Sequence, residues 1–313
     1  MTATETAILD IALAGIGKIA RDQHIPAIAA DPGLGLAATV SRSGGIEGVE
    51  NHATMEALLA ARPDIAAVSL CMPPQVRFEA AAAALRAGRH VMLEKPPGAT
   101  VTEVLRLRDL AASQGVTLFA TWHSRQAAGV ATAKSFLAGK AIRRVRIDWK
   151  EDVRHWHPGQ DWIWEPGGLG VFDPGINALS ILTEILPAPV HVTAAELTFP
   201  ENRAQPIAAD LRFAGADGLV VEAEFDWRQT GPQTWDILAE TDVGSLRLSD
   251  GGARLAIDGT AQEVAGSGEY PGLYRRFAGL IAAGQSDVDV APLLHVADAF
   301  LTGRRNLTEP FHD

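Results

Sequence analysis

The chain has 313 residues, enough for two domains of ordinary size. Hydrophobic residues make up 47% and charged residues 21%, which excludes extended disorder, and the 30 glycines follow no fixed period, which excludes a fibrous protein. Lys and Arg total 27 against 38 Asp and Glu, a net charge of −11, so a general nucleic-acid binder, which needs a basic face, is not expected.

No apolar run approaches the roughly 18 residues that a membrane helix needs. The first residues, Met1 to Thr6, are polar or small and no basic residue precedes Lys18, so no secretory signal is expected. The single cysteine, Cys71, ends the apolar run from Ala66. It fits a reducing compartment and the behaviour of a small buried side chain, and a cytoplasmic location is expected.

Over the first ~120 residues two periods alternate, as they do in βαβ units. Short apolar runs at Ile8–Ala14, Leu36–Ser41, Ile65–Cys71, His90–Leu93 and Val116–Thr121 predict buried strands. Helical spacing predicts helices at Ile19–Ala30, Met55–Ala61, Val76–Ala87 and Val101–Ser113. Such alternation implies right-handed crossovers and a parallel sheet covered on both faces. Thr100-x-x-Glu103 reads as a capping box, and Gly88 and Gly115 read as helix stops.

Beyond residue 122 the pattern changes. Arg144–Lys150 and Val221–Trp227 alternate apolar with charged residues, the mark of antiparallel strands with one solvated face. Val190–Phe199, Ile207–Phe213, Trp235–Glu240, Ser245–Leu248 and Arg254–Ile257 extend the pattern. One helix begins at Asp173, and a last helix is predicted at Leu293–Arg304. All seven Trp lie at or after Trp122. Their flat faces suit a sugar ring, although most of them individually fit core filling as well.

Four stretches carry chemistry. Gly15-Ile-Gly-Lys-Ile-Ala20 lies between the first strand and the first helix. Gly15 permits a tight turn, Gly17 lets the backbone approach a pyrophosphate, and Ala20 allows close helix–strand packing. A second strand ending Ser41-Arg42-Ser43 meets no carboxylate before Glu47, so a hydroxyl and a guanidinium stand where a ribose 2′-phosphate would lie. This predicts NADP, with NAD as the weaker alternative.

Glu94-Lys95-Pro96-Pro97 follows the strand His90–Leu93, at the end where open α/β sheets bind ligands. A cis bond before a proline there would turn Lys95 toward the cleft. Asp173-Pro174-Gly-Ile-Asn177 opens a helix after a glycine-rich loop. Asp173 is either a helix cap or, with Asn177 one turn on, part of a proton-transfer and hydroxyl-anchoring pair. His155-Trp-His157 lacks a nearby third ligand, so surface or sugar-contacting histidines are favoured and no metal is expected.

Together these residues resemble the glucose–fructose oxidoreductase / inositol dehydrogenase family over essentially the whole chain. Within it the chain is most similar to the bacterial aldose 1-dehydrogenases acting on L-arabinose or D-galactose. The carrying stretches are residues 15–24, 119–125, 149–152 and 162–177. The resemblance implies an α/β fold: a dinucleotide-binding Rossmann domain with a parallel sheet over 1–122, and an α+β substrate domain with a large, mainly antiparallel open sheet over 123–313. The last helix is expected to pack back on the Rossmann domain. A homodimer or homotetramer is expected by the same analogy.

The activity it implies is oxidation of the C1 hydroxyl of an aldopyranose (L-arabinose, D-galactose or D-fucose) to the 1,5-lactone, with hydride passing to NADP. The alternatives are another polyol, sugar or imine as substrate, or a non-catalytic NADP-binding sensor. The expected cofactor contacts are Gly15, Ile16, Gly17, Lys18, Ile19, Ser41, Arg42, Cys71, Pro73, Glu94 and Lys95. Lys95, Asp173 and Asn177 would surround the anomeric carbon, with Asp173 as general base and Lys95 stabilising the developing alkoxide. His123, Glu151, Trp156 and Trp235 would contact other hydroxyls and a ring face. Two departures stand out: Asn177 and Arg77 occupy positions where many family members carry His.

Overall fold

The computed structural model describes residues 8–312, the Asp217 side chain excepted, so the N-terminal stretch Met1–Thr6 lies outside the described residues. The chain forms two compact units. One runs to Thr121 and takes in Tyr270–Val290; the other comprises Trp122–Glu269 and Ala291 onward.

In the first unit, six parallel strands are β1 (Leu9–Ala14), β2 (Leu34–Val40), β3 (Glu50–His52), β4 (Ala67–Leu70), β5 (His90–Leu93) and β6 (Leu118–Ala120). Their order is β3-β2-β1-β4-β5-β6. The order reverses between β1 and β4, and their carboxyl ends flank the crevice where doubly wound sheets bind ligands. The helices are α1 (Ile25–Ala30), α2 (Met55–Ala61), α3 (Arg77–Arg86) and α4 (Val101–Gln114).

Side-chain alternation divides the core in two. Ala12, Val68, Leu70, Val91 and Leu93 pack against Met55, Leu58, Leu85 and Leu107 of α2–α4. On the other face, Ile11, Ala67, Met92 and Phe119 pack against Ala27 and Ile28, and against Tyr270, Leu273, Tyr274 and Phe277. The last four belong to a helix far along the chain, numbered α8 below. Apolar runs without alternation are what a sheet buried on both faces requires.

Local signals behave as their chemistry demands. Thr100 caps α4 by accepting the Glu103 N–H at 3.2 Å, and Glu103 reaches back to the N–H of Ala99 rather than of Thr100. Gly115 ends α4 in the left-handed region at φ 64°. The first helix opens with a π-helical turn over Ala20–His24 that runs directly into α1.

The second unit holds a nine-stranded sheet. Its strands are β7 (Ile142–Lys150), β8 (His191–Pro200), β9 (Ala208–Ala214), β10 (Val220–Asp226), β11 (Thr234–Thr241), β12 (Gly244–Ser249), β13 (Arg254–Ile257), β14 (Thr260–Gln262) and β15 (Arg304–Thr308). Their order is β14-β13-β12-β11-β7-β10-β9-β8-β15. The sheet is mostly antiparallel but mixed, because β10 runs parallel to β7 and β15 parallel to β8. Alternation predicts a solvated face but not the direction of a strand's neighbour.

The helices are α5 (Val130–Leu137), α6 (Val153–Trp156), α7 (Phe172–Ile185), α8 (Glu269–Ala283) and α9 (Ala291–Thr302). Helix α8 carries Tyr270–Ala283 into the first unit, whereas α9 belongs to the second. Helix α9 stops at Thr302, short of the expected Arg304, which begins β15. Among the described residues, no helix is long and apolar enough to cross a membrane.

Candidate active site

In the first unit the glycine turn lies at the crevice between β1 and β4. Gly15 has φ +87°, and a Cβ there would meet Met72 N at 2.5 Å, so only glycine fits. Its N–H donates to Val40 O at 2.9 Å, while Cys71 N–H donates to Ala14 O at 2.7 Å. A Cβ at Gly17 would meet nothing within 4 Å. That open space beside the start of the helix fits the close approach of a dinucleotide pyrophosphate.

Ile16 is buried, Ile19 is exposed, and the exposed Lys18 pairs with Asp22 one turn along. Ser41 and Arg42 follow β2 in an exposed turn in which Ser43 N–H donates to Ser41 Oγ at 3.3 Å. Cys71 and Pro73 follow β4, and both are half-buried. The Lys95–Pro96 bond is cis.

Glu94 turns inward, only 3% exposed. Its carboxylate accepts the N–H of Lys95 and, at 2.5 Å, the hydroxyl of Tyr270. His24 Nε2 lies 3.4 Å from Glu94 Oε1, and His24 Nδ1 lies 2.8 Å from the Tyr274 hydroxyl. Burial opposes a charge on His24, but Cys71, Tyr274 and Glu94 together outweigh it and raise its pKa well above the usual value.

In the second unit, Glu151 follows β7 and is buried at 3% exposure. Its carboxylate accepts the indole N–H of Trp227 at 3.2 Å and of Trp235 at 2.9 Å. Trp235 stacks on Trp149 at 6.1 Å between centroids, and the exposed Trp156 tilts over it at 5.0 Å. Asp173 lies inside the first turn of α7, not at its cap, because the helix already begins at Phe172 with Val171 in the cap position. A carboxylate there is favoured by the helix dipole. Asn177 follows one turn later, half-buried.

His157 joins these groups. Its Nε2 is 3.3 Å from Glu151 Oε1, and its Nδ1 is 3.7 Å from Asp173 Oδ2. That Nδ1 is buried and makes no hydrogen bond among the described residues. The sequence reads His157 as a surface or sugar-contacting histidine, and the structure sets it between two carboxylates. Among the described residues no group of three or more His, Cys, Asp or Glu is gathered to hold a metal. His123 pairs elsewhere, its Nδ1 2.8 Å from Glu269 Oε2 and 3.3 Å from Ser124 Oγ. Glu269, Trp227 and Tyr270 carry no local motif, and only their tertiary partners mark them.

The comparisons agree with this architecture. Residues 9–121 match the GFO_IDH_MocA family, an oxidoreductase family with an NAD-binding Rossmann fold. A galactose 1-dehydrogenase of Pseudomonas fluorescens is 46% identical over 304 residues, covering 97% of this chain and 98% of that protein. The crystal structure of a D-galactose-1-dehydrogenase from Rhizobium etli is 62% identical, covers 99% of both chains and superposes with a TM-score of 0.94. KijD10, a 3-ketoreductase from Actinomadura kijaniata in complex with NADP and TDP-benzene, shares the fold at a TM-score of 0.81 and 19% identity, over 96% of this chain and 99% of that one. The chain belongs to the GFO/IDH/MocA family of oxidoreductases.

Proposed function

We propose that the protein oxidises the anomeric hydroxyl of an aldopyranose, D-galactose first among D-galactose, D-fucose and L-arabinose, to the 1,5-lactone, with NADP preferred over NAD. What carries this reading is similarity along essentially the whole chain to two galactose 1-dehydrogenases. The polar groups described above supply the chemistry that such a reaction needs.

When bound, NADP supplies a nicotinamide C4 that accepts the hydride leaving C1. Gly15 to Ile19 and Arg42 would hold its phosphates, with Ser41, Cys71 and Pro73 beside it. Loss of hydride turns the C1–O bond into a carbonyl, so the hydroxyl must shed its proton. Asp173 takes that proton as general base, and Lys95 stabilises the negative charge that develops on the oxygen. Asn177 anchors a hydroxyl, since an amide does not titrate near neutral pH.

His157 stands beside the Asp173 carboxylate, its Nδ1 3.7 Å away. Glu151 and His123 accept or donate hydrogen bonds to the remaining hydroxyls, and Trp156 and Trp235 cover a ring face. The single Cys71 fits a reducing, cytoplasmic setting.

The test is direct. Purified protein is mixed with NADP⁺ and D-galactose, D-fucose, L-arabinose, D-xylose or D-glucose, and absorbance is read in the NADPH band. D-Galactose is expected to give the highest kcat/KM, and no rate above the blank with any sugar would overturn the reading.

A further inference from the structure

Arg77 is a buried cation, 2% exposed at the start of α3. Burial lowers its pKa to about 10, with the nearby Glu94 charge opposing the drop, so it stays a cation at neutral pH. A buried charge persists only when its donors are satisfied. Nε and Nη2 donate to Met72 O at 3.1 and 2.5 Å, and Nη1 donates to both Glu94 O and Pro96 O. One planar fork therefore ties the loop after β4 to the loop after β5.

The arrangement has a centre. The two carbonyls that Nη1 holds belong to the residues on either side of Lys95. The Glu94 carboxylate meanwhile accepts the N–H of Lys95 itself. Three consecutive residues are thus fixed through their backbones at the one position where a lysine is needed. That carboxylate is in turn held by the Tyr270 hydroxyl. A lysine has a flexible four-carbon stem, so its ammonium can be aimed only if the chain beneath it is rigid.

We propose that Arg77, with Glu94, is a positioning residue that fixes the backbone of Lys95 for the chemical step. This rests on the role given to Lys95 above. Neither side chain needs to touch sugar or dinucleotide. A lysine at 77 would keep the charge but lose the fork, because one ammonium cannot satisfy three carbonyls in that plane.

A double-mutant cycle in the full chain tests this, with Arg77→Lys and Lys95→Met, alone and combined. Arg77→Lys is expected to lower kcat by roughly 10–100-fold, the scale of a misplacement near 1 Å. KM for the sugar and the affinity for NADPH, read by nicotinamide fluorescence, are expected to change less than about threefold. In the Lys95→Met background the same change is expected to cost little more, because groups that act through one another are not additive. Glu94→Gln, run through the same cycle, covers the case in which Arg77→Lys does not fold.

The outcomes separate. Full activity in Lys95→Met would overturn the role of Lys95. An impaired Lys95→Met beside an unimpaired Arg77→Lys and Glu94→Gln would overturn the positioning alone. Losses that multiply in the double variants would make Arg77 and Glu94 merely structural.

Discussion

Trp235 donates its indole N–H to the Glu151 carboxylate at 2.9 Å, while the His157 ring stands 3.3 Å from the same carboxylate and 3.7 Å from Asp173. An aromatic face, a buried carboxylate and the candidate base are thereby gathered by four side chains within one unit. The indole bonds to the Glu151 carboxylate are charge-assisted and fix orientation as well as energy, so a change at Glu151 should be felt by Trp235 and Trp227.

Asp173→Ala is expected to lower kcat with D-galactose by at least about 10²-fold, the usual contribution of a general base. Circular dichroism should remain that of the folded protein, since Asp173 is not the cap of α7. Steady-state kinetics with NADP⁺ check this. A loss below about tenfold would leave Asp173 with only its place in the helix.

Glu151→Gln keeps the shape of the side chain but removes its charge and one of its acceptor oxygens. Hydrogen bonds to a charged group are worth about 1.5–3 kcal/mol, so KM for the sugar should rise roughly 10–100-fold. NADP affinity is expected to hold, because Glu151 is assigned to the sugar hydroxyls and not to the dinucleotide. Trp235→Phe, which removes one of the donors to Glu151, should move KM in the same direction by less.

Arg42→Ala removes the exposed guanidinium after β2. The ratio of kcat/KM for NADP over NAD is expected to fall roughly tenfold or more, through loss of charge-assisted bonds to the 2′-phosphate. Kinetics with both cofactors check it. An unchanged ratio would remove Arg42 from the cofactor site.

His90 gives a pH dependence of known sign. Its half-buried ring accepts the Thr117 N–H at Nδ1, 3.0 Å, tying β5 to the segment before β6. Burial lowers its pKa below the usual 6.5, so the unfolded chain binds the proton first. The contribution of His90 is therefore whole above pH 6.5 and shrinks as pH falls from there through the lowered value. Thermal melts at about pH 7.5 and 5.5 should show a larger drop for the wild type than for His90→Gln.

Much of this protein is written locally. The Gly15 turn, the Thr100 cap and the stop at Gly115 depend on φ angles and on donors within four residues, so their residues suffice to name them. Strand and helix alternation likewise foretold the parallel sheet, because burial on both faces leaves a continuous apolar run. The proposed site residues Lys95, Asp173 and Asn177 stood out for the same reason, lying next to prolines and glycines that set the chain's direction.

Tertiary structure decided the rest. Nothing local to Glu269–Ala283 says that Tyr270 will meet Glu94 across 176 positions, or that Leu273 and Phe277 complete the core of the first unit. His157 reads as a surface or sugar-contacting histidine until the fold places Glu151 and Asp173 beside it. Arg77 stands out in the sequence only as a departure from the family's His, and the three carbonyls that close around it come from the fold. Burial, partner direction and the pairing of β15 with β8 arise from contacts between distant segments, and their free energy depends on where the chain returns, which local residue patterns do not contain.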